Sequence, residues 1–243
     1  MRYFGGKERL SKHICKFINE TYLKGNDKTF VDLFVGGCSI ISKIDSNRKR
    51  YANDKNTYLI SMWKALQKGW IPPKDLTKEQ YMNIKNHKND YDMATVSFVG
   101  FGCSFGGKWF GGYANDCSGR NYCLHAHNST MRKASCVSDV IFTNLDYRNV
   151  EIPLGSIVYC DKPYENTCGY NTKTNNVDKF NHDIFWQWVR DNSCKHTILV
   201  SEYVNNIPKD FDIVWIKDDV TCSMLHNKRL KTTEAIAIYK REG

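Results

Sequence analysis

The chain has 243 residues, enough to bury one sizeable core and a smaller subdomain, and its 41% hydrophobic and 25% charged residues exclude a disordered or membrane-embedded make-up. Lys and Arg total 35 against 26 acidic residues, a formal charge of +9 that favours polyanionic partners, and the 13% aromatic content offers faces on which bases stack. No apolar run approaches the roughly 20 residues of a bilayer span, and Met1–Lys7 lacks the apolar core of a signal peptide, so no membrane partner and a cytoplasmic location are expected.

In chain order, residues 8–22 carry apolar side chains at helical spacing (Leu10, Ile14, Phe17, Ile18, Tyr22), which predicts an amphipathic helix. Thr29–Phe34 reads as a strand that runs into Gly36-Gly37, and Cys38–Ile44 as the start of a helix. Arg50–Asn53 reads as a second strand, Tyr58–Leu66 as a helix, and Pro72-Pro73 as a break. The texture then changes. Residues 74–95 are polar and helical, whereas Gly100–Gly112 is too rich in glycine for regular helix and is expected to be loop or hairpin displaying Phe101, Phe105, Trp109 and Phe110. Strands at Val140–Phe142, Ser156–Cys160, Thr197–Ser201, Phe211–Ile216 and Ala235–Tyr239, with a helix at His182–Val189, complete the pattern. Strands alternating with helices predict an α/β fold with a doubly wound, mostly parallel sheet. The organisation expected is a catalytic domain of residues 1–70 and 136–243 and an inserted region of residues 71–135.

The ten cysteines are scattered without a Cys-x-x-Cys pair, so reduced, buried thiols are expected rather than a disulfide framework. Cys117, Cys123, His125 and His127 offer soft ligands but lack the paired spacing of a zinc site; an ordinary polar loop, with no metal, is the expectation there.

Three constellations carry chemistry. In Val31-Asp32-Leu33-Phe34-Val35-Gly36-Gly37 a strand ends in a glycine turn, which lets a ligand approach the backbone at the carboxyl edge of the sheet, or serves packing alone. Asn53-Asp54 ends the next strand; an acid there can take both ribose hydroxyls of a nucleoside cofactor, or cap the helix that follows. In Ile157–Tyr164 an apolar strand delivers Asp161 to the sheet edge, Pro163 ends the strand, and Tyr164 adds an aromatic face. A carboxylate, a backbone carbonyl and a ring on one rigid turn suit an amino group on a flat base, although such a turn can also simply end a strand.

In this order the motifs resemble those of the Dam-like DNA adenine-N6 methyltransferases, across essentially the whole chain. Asp161-Lys162-Pro163-Tyr164 is similar to their Asp-Pro-Pro-Tyr turn, the glycine turn to their cofactor motif, and Tyr3-Phe4-Gly5-Gly6-Lys7 to their N-terminal aromatic-Gly-Gly-Lys. The resemblance implies a Rossmann-like methyltransferase fold and transfer of a methyl group from S-adenosylmethionine, leaving S-adenosylhomocysteine, to the N6 amine of a flipped adenine in double-stranded DNA. It assigns cofactor contacts to Tyr3, Gly5, Gly6, Lys7, Asp32, Phe34, Gly36, Asp54, Asp146 and Asp161, and catalysis to Asp161, Lys162, Pro163 and Tyr164. Lys108, Trp109 and Arg120, in the insert that matches the family's target-recognition region, are the candidate DNA contacts. Restriction–modification is one setting for such an enzyme. Lys162 stands where proline is commonest, and a cation so close could lower the Asp161 pKa or touch a phosphate; Cys38 stands where many relatives have glycine. Methylation of the cytosine N4 amine, RNA as substrate, and a DNA-binding relative that has lost catalysis are the alternatives.

Overall fold

The structure is a computed structural model, and it describes residues 3–115, 119–164, 180–222 and 230–240. Its strands are β1 (Phe30–Asp32), β2 (Arg50–Asn53), β3 (Ile141–Thr143), β4 (Ile157–Cys160), β5 (Thr197–Tyr203), β6 (Phe211–Cys222) and β7 (Leu230–Tyr239). They form one sheet in the order β3-β2-β1-β4-β5-β7-β6. The pairs from β3 through β5 are parallel, and β7 runs antiparallel to both β5 and β6. The mostly parallel α/β sheet expected from the sequence is the one that folds.

The strand order reverses between β1 and β4. There the carboxyl ends of two parallel strands lead into connections that depart in opposite directions, which opens a crevice for ligands. Asp32 closes β1, and Asp161 follows β4 directly. The central strands are buried on both faces, and successive side chains alternate between two cores. Phe30, Ala52, Ile157, Tyr159, Leu199 and Ile236 belong to one core, and Val31, Val158, Cys160, Ile198, Val200 and Ala237 to the other.

The helices are α1 (Ser11–Ile18), α2 (Thr57–Gln67), α3 (Lys78–Asn86), α4 (Met93–Ser97), α5 (Tyr122–Cys136) and α6 (His182–Ser193). The amphipathic segment expected over residues 8–22 is α1 continued by one π-helical turn, with Ile14 and Ile18 fully buried. Helices α3 to α5 lie between β2 and β3, and their apolar residues Tyr81, Val96, Phe98 and Phe101 share the core that holds Trp63 and Ile14. Helix α6 covers the other face with Phe185, Trp186 and Val189. Among the described residues no helix is long and apolar enough to cross a membrane.

Three local expectations need correction. Cys38–Ile44 does not start an α-helix: it is a run of turns with a 3-10 turn at Ile41–Lys43. Gly36 and Cys38 take left-handed backbone (φ +45° and +53°), and the carbonyls of Ile41 and Ile44 accept from the Arg50 guanidinium at 3.1 Å each instead of from a continuing helix. The stretch holding Cys123, His125 and His127 is not a polar loop but α5, begun by the Asn121 side chain accepting from the Leu124 amide. Cys123 donates to the Pro73 carbonyl and the His127 ring bonds the Pro72 carbonyl, while Cys117 lies outside the described residues. Finally, Gly100 and Gly102 lie in a π-helical turn, Phe98–Gly102, that prolongs α4 before the chain loops back through a Ser104–Tyr113 bridge. A side-chain carbon on Gly100 would fall 2.5 Å from the Trp109 ring, so glycine is what lets this turn close on the indole.

Arg50 is buried and also bonds Asp139 and the Cys136 carbonyl, fastening the start of β2 to the turn after β1 and to the end of α5. Replacing it with methionine strands these acceptors. Arg50→Met should cost about 2–3 kcal/mol in urea unfolding, Asp139 being half-exposed; a change under about 0.5 kcal/mol would contradict this role.

Candidate active site

The carboxyl edge at the β1/β4 reversal collects three carboxylates. Asp54, after β2, accepts the Gly36 amide on Oδ2 at 2.9 Å and the Asn56 amide on Oδ1 at 2.8 Å. It therefore braces the glycine turn, and the cap of α2 is Asn56 rather than Asp54. Asp32 is buried and receives backbone bonds from Phe34 and Ile41, yet its Oδ1 has no hydrogen-bond partner. Burial, with Asp161 and Asp54 adding to it, pushes Asp32 well above the usual carboxylate range.

The glycine turn is held from several sides. Leu33 donates to the Tyr159 carbonyl at 3.0 Å and Val35 to that of Asn53 at 2.9 Å, while the Trp63 indole donates to the Gly36 carbonyl at 3.0 Å. What approaches the two glycines is the Tyr3 ring. A side-chain carbon on Gly36 would sit 2.7 Å from Tyr3 Cε1, and one on Gly37 would sit 2.9 Å from Tyr3 Cβ. The close approach expected of a ligand is made in part by the protein's own N-terminal motif. Lys133, from the last turn of α5, donates to the Gly37 carbonyl (2.8 Å), Ser39 Oγ (3.3 Å) and Glu8 (2.6 Å). Burial raises the Glu8 carboxyl, but Lys133 and Lys43 outweigh it and hold the group down at about 2.

The N-terminal motif folds across the crevice. Gly6 donates to the Tyr3 carbonyl at 3.0 Å, Gly5 takes left-handed backbone, and the Lys7 carbonyl starts the turn into α1. This geometry drops the Lys7 ammonium between Asp161 and Glu234, 3.0 Å from each, and 4.0 Å from the centre of the Tyr164 ring. Burial opposes that charge, but Asp161 and Glu234 hold the ammonium above the ordinary lysine range. Burial pushes Asp161 up to about 6; Lys7 pulls it down, while Glu234 and Glu202 add to the rise.

The rest of the turn faces inward. The Lys162 ammonium is fully buried and pairs with Glu202 of β5, among the rings of Tyr164, Phe185 and Trp186. The expectation that Lys162 lowers the Asp161 pKa or touches a phosphate is overturned: its charge is spent on Glu202, and the cation on Asp161 is Lys7. Tyr164 is also buried, its hydroxyl donating to Glu234 and lying 2.9 Å from Ser201 Oγ. Its ring meets Tyr203 edge-on and carries Lys7 on one face. Burial pushes the nearby Cys38 and Cys160 thiols well up, so neither supplies a thiolate nucleophile.

Of the remaining sequence candidates, Asp146 sits on the loop that Asn53 and Asn144 tie to the end of β2, through bonds to the Leu145 and Asp54 carbonyls. Its carboxylate is held at about 2 by Arg148, with Lys55 adding. Phe34 turns into the second core and packs on Tyr147, Phe180 and Phe185. Trp109 is wedged between Tyr58, Phe101 and Phe110, whereas Lys108 is exposed with its ammonium 4.6 Å over the Phe4 ring. Arg120 is exposed on a cleft it shares with Asp75, Gln80 and Tyr113. Among the loop's aromatics Phe105 is the bare one, 70% exposed. Sequence reasoning missed Lys133, Ser201, Glu202 and Glu234. A signal existed for the last two, since each is an acid set in or beside an apolar strand, as Asp161 is.

Residues 3–102 match the model of the family described as D12 class N6 adenine-specific DNA methyltransferase. No curated protein sequence matches the chain. Among solved structures it is similar to the rRNA methyltransferase aviRa from Streptomyces viridochromogenes, at 9% identity over 98% of this chain and 86% of that one with a TM-score of 0.45. It is also similar to aTrm5, solved in complex with tRNALeu, at 13% identity over 96% of this chain and 46% of that one with a TM-score of 0.41. The family match implies S-adenosylmethionine as cofactor. The site fits it: an orphaned buried Asp32 oxygen and a crevice rich in carboxylate suit a small molecule bearing a sulfonium and an ammonium.

Tyr3 and Gly36 should prove energetically coupled. Gly36→Ala forces a side chain into left-handed backbone and against the Tyr3 ring, at a cost of about 2–3 kcal/mol. Tyr3→Ala in the same chain should recover about half of that loss in a double-mutant cycle of thermal unfolding, and strictly additive losses would contradict the contact.

Proposed function

The match over residues 3–102 supports a Dam-like adenine methyltransferase family, and from that premise we propose that this protein methylates the exocyclic N6 amine of adenine in double-stranded DNA. The observation that carries the reading is the Asp161 carboxylate, fixed at the β4 edge 3.0 Å from Lys7 with its side chain 16% exposed.

S-adenosylmethionine, when bound, supplies the electrophilic methyl group. The protein's part is to make a poor nucleophile reactive. The adenine amine is delocalised into its ring, and hydrogen bonds from both amine hydrogens, one to Asp161 and one to the Lys162 carbonyl, favour the pyramidal nitrogen on which positive charge develops. The Glu202 tether on the Lys162 side chain holds that carbonyl in place. Asp32 and Asp54, with Tyr3 bracing the glycine turn, form the cofactor side. Tyr164, buried with its hydroxyl on Glu234 and Lys7 over its ring, anchors the base side of the turn. An adenine reaches such a site only by leaving the duplex.

Residues 71–135 are the DNA-facing insert in this reading. The formal charge of +9, exposed Lys108 and Arg120, and the bare Phe105 ring support a phosphate- and base-contacting surface there. The adenine reading is preferred over cytosine because the matching family model is one of adenine-specific enzymes.

Asp161 accepts the amine only as a carboxylate. With its pKa pushed up to about 6, the accepting form is lost as pH falls through that value, so kcat/KM for methyl transfer should drop on the acid side with a midpoint near 6. Asp161→Ala should abolish tritium transfer from labelled cofactor to DNA while calorimetry shows the cofactor still bound. A profile flat between about pH 5 and 8, or transfer retained in the variant, would contradict the role.

A further inference from the structure

We propose that Glu234, on β7, is a positioning residue of the methyl-transfer reaction: it draws Lys7 and Tyr164 toward the sheet and so keeps Asp161 turned to the substrate amine. The inference rests on the reading of Asp161 as the amine acceptor.

Glu234 is a buried carboxylate that lies outside every motif in the sequence, and its Oε1 gathers three partners. It takes the Lys7 ammonium at 3.0 Å, Ser201 Oγ at 2.9 Å and the Tyr164 hydroxyl. Antiparallel pairing sets it opposite Tyr203 on β5, two residues from Ser201 and one from Glu202. Two buried carboxylates on one ammonium divide its charge. A simple Lys7–Asp161 pair would neutralise Asp161 and pull it off the substrate. With Glu234 competing, Lys7 stays in reach of Asp161 without saturating it. The same oxygen that holds Lys7 also holds Tyr164, so the ring and the ammonium above it move as one unit with β7.

The groups that interact electrostatically with Asp161 come from several elements: Lys7 from the N-terminal motif, Glu234 from β7, Glu202 from β5, Asp32 from β1, and the Tyr159 hydroxyl, Cys160 thiol and Tyr164 hydroxyl from β4 and its turn. Lys7 lowers the Asp161 midpoint and Glu234 raises it. Glu234→Gln keeps the shape and an oxygen for Tyr164 but removes the charge.

The test is a carbon-13 carboxyl titration of the full-length, cofactor-free protein, with the Asp161 signal assigned by Asp161→Asn. In Glu234→Gln the Asp161 midpoint should fall by roughly one pH unit, and kcat by about tenfold with cofactor Kd unchanged. An unmoved midpoint with wild-type kcat, or a loss of thermal stability alone, overturns the proposal. If Glu234→Gln does not fold, Glu234→Asp decides: its charge is kept but its reach is shortened. A drop in kcat at constant cofactor Kd supports the role, and wild-type kcat overturns it. Wild-type protein that transfers no methyl group counts against the proposed function instead, and the titration alone then judges Glu234.

Discussion

One buried ammonium between two carboxylates organises this molecule. Lys7 belongs to a segment that no strand or helix would otherwise hold over the crevice, and its pairing with Asp161 and Glu234 at 3.0 Å each joins the N-terminus, the β4 turn and β7. Charges this deeply buried are costly unless paired, and here three of them share one site. Burial, opposed by Lys7 and helped by Glu234, pushes Asp161 up to about 6 instead of the acidic value of an exposed aspartate, so it is mostly charged at neutral pH and close to its proton-accepting range.

The sheet supplies the frame for that arrangement. Reversal of strand order between β1 and β4 puts Asp32 and Asp161 at adjacent strand ends, and β2 adds Asp54 beside them. Tyr3 packs on Gly36 and Gly37 while Lys7, four residues on, reaches Asp161. The N-terminal motif thus ties the glycine turn to the turn that carries Asp161. Lys133 adds a tie from α5, through the Gly37 carbonyl and Glu8, so this helix bears directly on the glycine turn.

Much of this was legible in the sequence because strand ends are marked locally. Asp161 closes an apolar run just before a proline, Asp54 stands between a strand and a helix start, and Asp32 interrupts an apolar run that leads to the glycine turn; the structure brings all three to one edge. What escaped depended on partners distant in sequence. Cys38–Ile44 has helical composition, but Arg50 takes its carbonyls and Gly36 and Cys38 turn left-handed. The stretch holding Cys123, His125 and His127 is polar enough to resemble a loop until the Asn121 cap and the buried Lys133 of the same helix are seen. Lys162 reads as a possible intruder on Asp161 until Glu202 is found beneath it. Glu234 is marked in the sequence only as an acid beside an apolar strand, and its partners are fixed only when antiparallel β7 lies beside β5.

The central claim is that this crevice places a methyl group on an adenine amine. The direct measurement is mass spectrometry of nucleosides from duplex DNA incubated with the purified protein and isotopically labelled S-adenosylmethionine. Label is expected in N6-methyl-2'-deoxyadenosine from the DNA, and to be absent with Asp161→Ala. Label in a cytosine derivative, in RNA alone, or in no nucleoside would contradict it.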